Sequence, residues 1–208
     1  MAAHYSTLLI GGCGTIGSGL RTYLPRLDAR YRIVSLDLPG ARDKAKEDDA
    51  QREFVELDLC EDPEAFRALL ADYDLVVYLA RKNPLQAMNA MTDLVFEAVL
   101  AQEKPPMMVA SSSVHAVDGL YSFYDEDSVY WTMADRNFDA IDPWPERISA
   151  KTPAHAPNDY AREKEYAEQW CQKMAAQGHG AVAARWGGIN EHNAVVEVKE
   201  RGYFSVWC

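Results

Sequence analysis

The chain has 208 residues, enough to bury a sizeable core as one domain, and its 48% apolar and 25% charged content is that of an ordinary soluble globule. A net charge of −11, with no basic stripe to offset phosphate charge, argues against nucleic acid or an anionic membrane as partner. No apolar run approaches the roughly 20 residues that span a bilayer, and the N-terminus has no signal-peptide pattern.

The first element is an apolar strand at residues 7–10 (TLLI), which empties into the glycine cluster GGCGTIG at 11–17 and a helical pattern over 16–27. Strand, glycine turn and helix N-terminus in this order make a phosphate cradle. Glycines let the backbone approach a pyrophosphate, and the helix end offers free N–H groups and partial positive charge. The cluster reads both as Gly12-x-Gly14-x-x-Gly17 and as Gly11-x-x-Gly14-x-x-Gly17. A glycine turn without a ligand has the same local pattern, so context decides. Residues 31–36 (YRIVSL) form a second strand ending at Asp37, 20 residues beyond Gly17, where a dinucleotide fold places the acid that takes the ribose hydroxyls.

After a charged loop at 42–49, residues 53–57 read as a third, short strand. Asp62-Pro63 supplies an N-cap and a proline at the first helical position for a helix to about residue 71. Residues 75–79 (LVVYL) are a continuous apolar run, as in a strand buried on both faces of a parallel sheet. A long helical pattern covers 84–102 and is stopped by Lys104-Pro105-Pro106. Its apolar residues Leu85, Met88, Met91, Leu94, Val95, Val99 and Leu100 fall on more than one face. Sheet packing accounts for one stripe; a partner helix in a homodimer, or the chain's own interior, accounts for the other.

Residues 107–110 make a fifth strand that ends in Ser111-Ser112-Ser113. The stretch 114–157 then reads as an irregular insertion rich in aromatics (Tyr121, Phe123, Tyr124, Tyr130, Trp131, Phe138, Trp144). Long loops of this kind serve as substrate lids, and its aromatics suit equally a cover for a bare apolar edge or a subunit contact. A helix over 158–177 stops at Gly178 and Gly180, and 181–185 is a sixth strand. This alternation predicts a doubly wound parallel sheet with helices on both faces, one dinucleotide-binding domain over 1–208. Ligands of such sheets bind at the carboxyl ends of the strands, where Gly11, Asp37, Asp58, Ala80 and Ser113 collect. Cys13, Cys60, Cys171 and Cys208 lack the paired spacing of a zinc site or disulfide framework, so reduced thiols in a cytoplasmic protein with no bound metal are expected.

The chemistry points to Tyr160-Ala161-Arg162-Glu163-Lys164, whose i, i+4 spacing puts a phenol and an ammonium on one helix face. A free phenol, with a pKa near ~10, is a poor base at neutral pH. A neighbouring lysine and the positive ring of an oxidised nicotinamide favour the phenolate. Ser113 is placed to hold the substrate oxygen. His115 reads either as a substrate contact or as a satisfied structural residue, and Arg185 as a partner for a substrate anion or for a carboxylate of the chain.

Taken together, GGCGTIG (11–17), Asp37, Asp58-Leu59, Leu79-Ala80, SSS (111–113) and YAREK (160–164) resemble the extended short-chain dehydrogenase/reductase family, also called the NAD-dependent epimerase/dehydratase family. The motifs occur in the family's order over nearly the whole chain. The resemblance implies a Rossmann-like fold and NAD held by Gly11, Gly14, Thr15, Ile16, Gly17, Asp37, Asp58, Leu59, Leu79, Ala80, Arg81, Tyr160 and Lys164. It implies Tyr160 as the proton-transfer base, Lys164 as the residue that binds the nicotinamide ribose and tunes Tyr160, and Ser113 as the group that orients substrate. SSSVHAVDGLY, ARWGGIN and GYFSVW look most similar to the uronate and sugar dehydrogenase branch. The implied activity is oxidation of a sugar or sugar acid by hydride transfer to nicotinamide. A nucleotide-sugar epimerase or dehydratase, and a non-catalytic NAD-binding regulator, are the alternatives.

The chain departs from the family in four places. Arg81 stands where a small residue is usual, a helical asparagine aligns nearer Met88 than Asn89, and the 47-residue interval from Ser113 to Tyr160 (160 minus 113) is long. The apolar end at 204–207 predicts a fragment or a shortened member, with the C-terminal substrate lobe short or missing.

Overall fold

The computed structural model describes residues 4–44, 53–120, 129–142, 144 and 149–187. Six strands, β1 (Tyr5–Ile10), β2 (Tyr31–Asp37), β3 (Glu53–Glu56), β4 (Leu75–Tyr78), β5 (Met107–Ser113) and β6 (Ala181–Trp186), form one sheet in the order β3-β2-β1-β4-β5-β6. Every neighbouring pair is parallel. Successive strands step one way from β1 to β3 and the other way from β4 to β6. The reversal between β1 and β4 opens a crevice at their carboxyl ends, the place where such sheets bind ligands.

The strands form where the apolar runs are continuous, because helices cover both faces. Alternate side chains, Leu8 and Ile10, Val34 and Leu36, Val76 and Tyr78, Met108 and Ala110, join one core with helices α2 (Pro63–Leu70), α3 (Leu85–Leu100) and α5 (Asp159–Ala176). The opposite face carries α1 (Thr15–Leu27), whose buried Arg21 hydrogen-bonds Ser35 of β2 at 3.1 Å. Caps fix where helices begin: Asp62 Oδ1 accepts from Ala65 N at 3.0 Å at the start of α2, and Asn158 Oδ1 from Ala161 N at 2.9 Å at the start of α5.

Met88, Met91, Val95 and Val99 of α3 are buried within the chain, and Leu94 and Leu100 pack partly buried against the same core. Phe96 stacks on Trp170 of α5 at 5.4 Å, Asp93 accepts from Tyr166 Oη and Trp170 Nε1, and the other side of α3 packs on α2. A partner helix is not needed to explain the second stripe. Burial pushes the Cys171 thiol up to about 12, so this cysteine is an inert core residue. No helix among the described residues is long and apolar enough to cross a membrane.

One expectation changes. The serine run lies inside β5 rather than beyond it, because Ser111, Ser112 and Ser113 pair in register with Ala184, Arg185 and Trp186 of β6. The described residues of 114–157 include 3-10 turns at Val114–Leu120 and Phe138–Ala140 and a short helix, α4 (Val129–Ala134). Trp131, Phe138 and Trp144 are exposed. Tyr121, Phe123, Tyr124, the side chain of Tyr130, and residues 188–208 with Cys208 lie outside the described residues.

Candidate active site

The glycine turn joins β1 to α1 at the crevice, and each glycine has its own reason. Gly11 has φ +80°, and a Cβ there would stand 2.6 Å from Ala80 N. A Cβ on Gly12 would meet the Ser35 side chain at 2.5 Å, and one on Gly17 would lie 2.2 Å from the Gly12 carbonyl oxygen. These three are demanded by turn shape and packing. Gly14 is different. A Cβ there would meet only Gly11 O at 3.5 Å, an ordinary contact, yet Gly14 lines the cleft. Packing alone therefore leaves room for a side chain at 14.

Gly14 is also the N-cap of α1, which has no side-chain cap and no acidic residue in its first turn. The N–H groups of Thr15, Ile16 and Gly17 thus remain as donors at the positive end of the helix. From beneath, the buried Arg21 guanidinium holds the turn: it donates to the Gly12 carbonyl, to Ser35 Oγ and to Ser18 Oγ at 3.0 Å.

A cleft of about 570 Å³ runs from this turn along the rim and is bordered by Gly11, Asp37, Asp58, Leu59, Leu79, Ala80, Arg81 and Lys82. Asp37 Oδ2 accepts from Cys13 N and Oδ1 from Leu38 N, both at 2.9 Å, which orients the carboxylate and leaves each oxygen with a further lone pair. Asp58 Oδ1 accepts from Cys60 N at 2.9 Å, shaping the turn that buries Leu59. Shape and donor set together suit an adenine dinucleotide. Gly11, Asp37, Asp58 and Ala80, expected at one rim, border this cleft, while Ser113 is not among its lining residues.

Tyr160 and Lys164 lie in the first turns of α5. Lys164 is 5% exposed, with Nζ 5.3 Å from the Tyr160 ring centroid. Arg81 reaches over the same ring, its guanidinium carbon 4.7 Å from the centroid, and His115 meets the ring edge-on at 5.7 Å. Beneath them sits Glu163, 2% exposed, whose Oε1 accepts from Arg81 Nε at 2.6 Å and pairs with Lys164 Nζ at 3.3 Å. Burial of that carboxylate is tolerable only because two cations share it. Glu163 went unnoticed in the sequence, where a charged helical residue reads as solvated. The signal available was Arg81, a cation in a small-residue position, which needed a counter-charge.

Ser113, buried at the end of β5, accepts from His115 N at 3.2 Å through Oγ, so its own O–H remains a donor. Ser112 points into the interior and donates to Glu168 at 2.6 Å. Arg185 grips the same Glu168 through Nε and Nη2, both at 2.7 Å, and holds Thr152 O at 2.8 Å. Of the two roles open to Arg185, the structure gives the internal carboxylate. Replacing Glu168 with alanine strands a largely buried guanidinium, and we expect a loss of about 3–5 kcal/mol of stability by denaturant unfolding. A loss under about 1 kcal/mol contradicts that account.

Solved structures share the fold. A dTDP-glucose 4,6-dehydratase from Bacillus anthracis, solved with NAD, superposes with TM-score 0.65 at 17% identity, over 95% of this chain and 62% of that one. A uronate dehydrogenase from Agrobacterium tumefaciens gives 0.59 at 22% identity, over 86% and 59%. A UDP-glucose 4-epimerase from Thermotoga maritima, solved with UDP-glucose, gives 0.57 at 17%, over 86% and 54%. The chain therefore spans less than two thirds of the length of these proteins. No curated protein sequence matches it. Residues 7–186 match the NAD dependent epimerase/dehydratase family, and the chain belongs to that family, whose cofactor is NAD.

Proposed function

We propose that the chain binds NAD along the rim of the β1–β4 crevice and oxidises a hydroxyl of a sugar or sugar acid, with Tyr160 as base. The observation that carries the reading is the half-buried Tyr160 ring with the Lys164 ammonium 5.3 Å from its centroid and, over the same ring, Arg81, which borders the cleft of the glycine turn. Gly11, Gly14, Thr15, Ile16 and Gly17 would hold the pyrophosphate, Asp37 the adenosine ribose, and Asp58 and Leu59 the adenine. Leu79, Ala80 and the Arg81 backbone would line the path to the nicotinamide. NAD, when bound, supplies the hydride acceptor; the protein supplies alignment.

Tyr160 Oη takes the proton of the reacting hydroxyl, and Lys164 binds the nicotinamide ribose beside it. The free O–H of Ser113 donates to the substrate oxygen and holds it against Tyr160. General base catalysis of this kind contributes roughly 10²–10⁴-fold. The 114–157 insertion is assigned to the substrate side of this single domain. Its far end is tied down at two points, His155 N to Ala116 O at 2.7 Å and Thr152 O to Arg185, which supports a cover over β5 and β6.

Titrating NAD calorimetrically and then assaying sugar and sugar-acid oxidation on the same sample tests the reading. NAD binding with turnover supports it, binding with no turnover turns it into a nucleotide sensor, and no binding refutes both. Cofactor choice is a second expectation. The Asp37 carboxylate repels a 2′-phosphate, so NAD is expected to bind more tightly than NADP. Arg42 is drawn aside over the Phe54 ring, 5.0 Å from its centroid. Equal or tighter NADP binding by calorimetry sinks this assignment.

A further inference from the structure

The side chain of Arg81 is not explained by cofactor binding. It is a cation at the rim of an acidic protein, its side chain 45% exposed, with Lys82 exposed beside it. Among the described residues its one hydrogen bond runs from Nε to Glu163, which leaves both Nη groups uncommitted. The anchor is rigid in kind: Glu163 is 2% exposed and is itself pinned by Lys164. One edge of the guanidinium is thus fixed, its carbon stands over the Tyr160 ring, and Arg81 is among the residues that border the cleft. The pieces Arg81, Glu163 and Lys164 sum to one positive charge, and Lys82 adds another, in a chain whose net charge is −11.

We propose that Arg81 is a specificity-determining residue that binds an anionic group, carboxylate or phosphate, on the substrate whose hydroxyl faces Tyr160, with Glu163 as its positioning residue. This rests on the reading of Tyr160 and NAD given above. A guanidinium held by one edge presents its remaining donors as a preformed fork, the arrangement that recognises carboxylate and phosphate in two-point fashion. A neutral sugar would leave that charge facing the cleft without a partner. Lysine at 81 keeps the charge but loses the fork and the fixed edge.

Three hexoses that differ only at C6 separate the cases: glucose, glucuronate and glucose 6-phosphate. Each is titrated by calorimetry into the NAD-saturated protein, native and as Arg81→Met, Arg81→Lys and Glu163→Gln, with thermal unfolding of each variant to verify folding. In the native chain one of the two anionic hexoses is expected to bind about tenfold or more tightly than glucose. Which of the two prefers the site identifies the anion. Arg81→Met, at saturating NAD, is expected to bring the three within about twofold, and Arg81→Lys and Glu163→Gln to fall between. Equal or absent binding of all three by the native chain overturns the proposal, as does a preference that survives in Arg81→Met. Failure of the native chain to bind NAD refutes the underlying reading and this one with it, whereas NAD binding without anion preference refutes this one alone.

Discussion

Replacing Tyr160 with phenylalanine is expected to lower turnover by at least ~10²-fold while leaving NAD affinity close to native. The substitution removes only the hydroxyl. The ring keeps its edge contact with His115 and its place between the Arg81 and Lys164 charges, so the packing at the head of α5 survives. Lys164→Ala is expected to behave differently, weakening both turnover and NAD binding. It removes the ammonium assigned to the nicotinamide ribose and leaves the buried Glu163 carboxylate with Arg81 as its sole partner among the described residues. Steady-state rates and NAD calorimetry on the two variants distinguish base from ligand. A phenylalanine variant that kept more than about a tenth of native turnover would place the base elsewhere.

The strands were legible wherever a buried parallel sheet forces a continuous apolar run, as in 7–10 and 75–79, and the cap Asp62 marked the start of α2 through short-range chemistry alone. β5 was read short because serine is a weak strand former. What extends it is pairing with β6, some 70 residues later in the chain, an interaction that no local pattern announces. The same holds for residues 152–155, which meet distant groups, His155 N on Ala116 O and Thr152 O on Arg185, contacts that no local pattern announces.

The cleft was legible as a set because the fold delivers every strand's carboxyl end to one rim; motif order along the chain therefore maps onto position along the crevice. The supports beneath it were not. Arg81 and Glu163 are 82 residues apart, and Arg21 meets Ser35 from another element, so their burial exists only after the sheet has formed. Buried charge has no periodicity to betray it. Gly11, Asp37, Asp58 and Ala80 at the cleft border were legible from strand ends, whereas Glu163 and Arg21, which support the rim from within, were not.

The glycine turn offers the second large effect, because two of its glycines are expected to fail in different ways. In Gly17→Ala the new Cβ falls 2.2 Å from Gly12 O and 2.6 Å from Gly12 C. Both are backbone atoms of the turn, so α1 must shift away from β1, and Arg21, which holds the Gly12 carbonyl, shifts with it. Overpacking of this kind costs roughly 1–3 kcal/mol or more, and the variant is expected to lose stability and NAD binding together. In Gly14→Ala the nearest atom is Gly11 O at 3.5 Å, and φ is −73°, open to any residue. Its unfolding midpoint without nucleotide is expected to match the native chain. The added methyl instead stands at the uncapped N-terminus of α1, where a pyrophosphate must approach the N–H groups closely, so NAD binding is expected to weaken by an order of magnitude or more, about 1.4 kcal/mol. The rise in midpoint that saturating NAD gives the native protein would then shrink in proportion, since stabilisation by a ligand follows its affinity. Native-like NAD affinity in Gly14→Ala would mean that the phosphates do not rest on this turn, and a destabilised Gly14→Ala would mean that its glycine serves the fold after all.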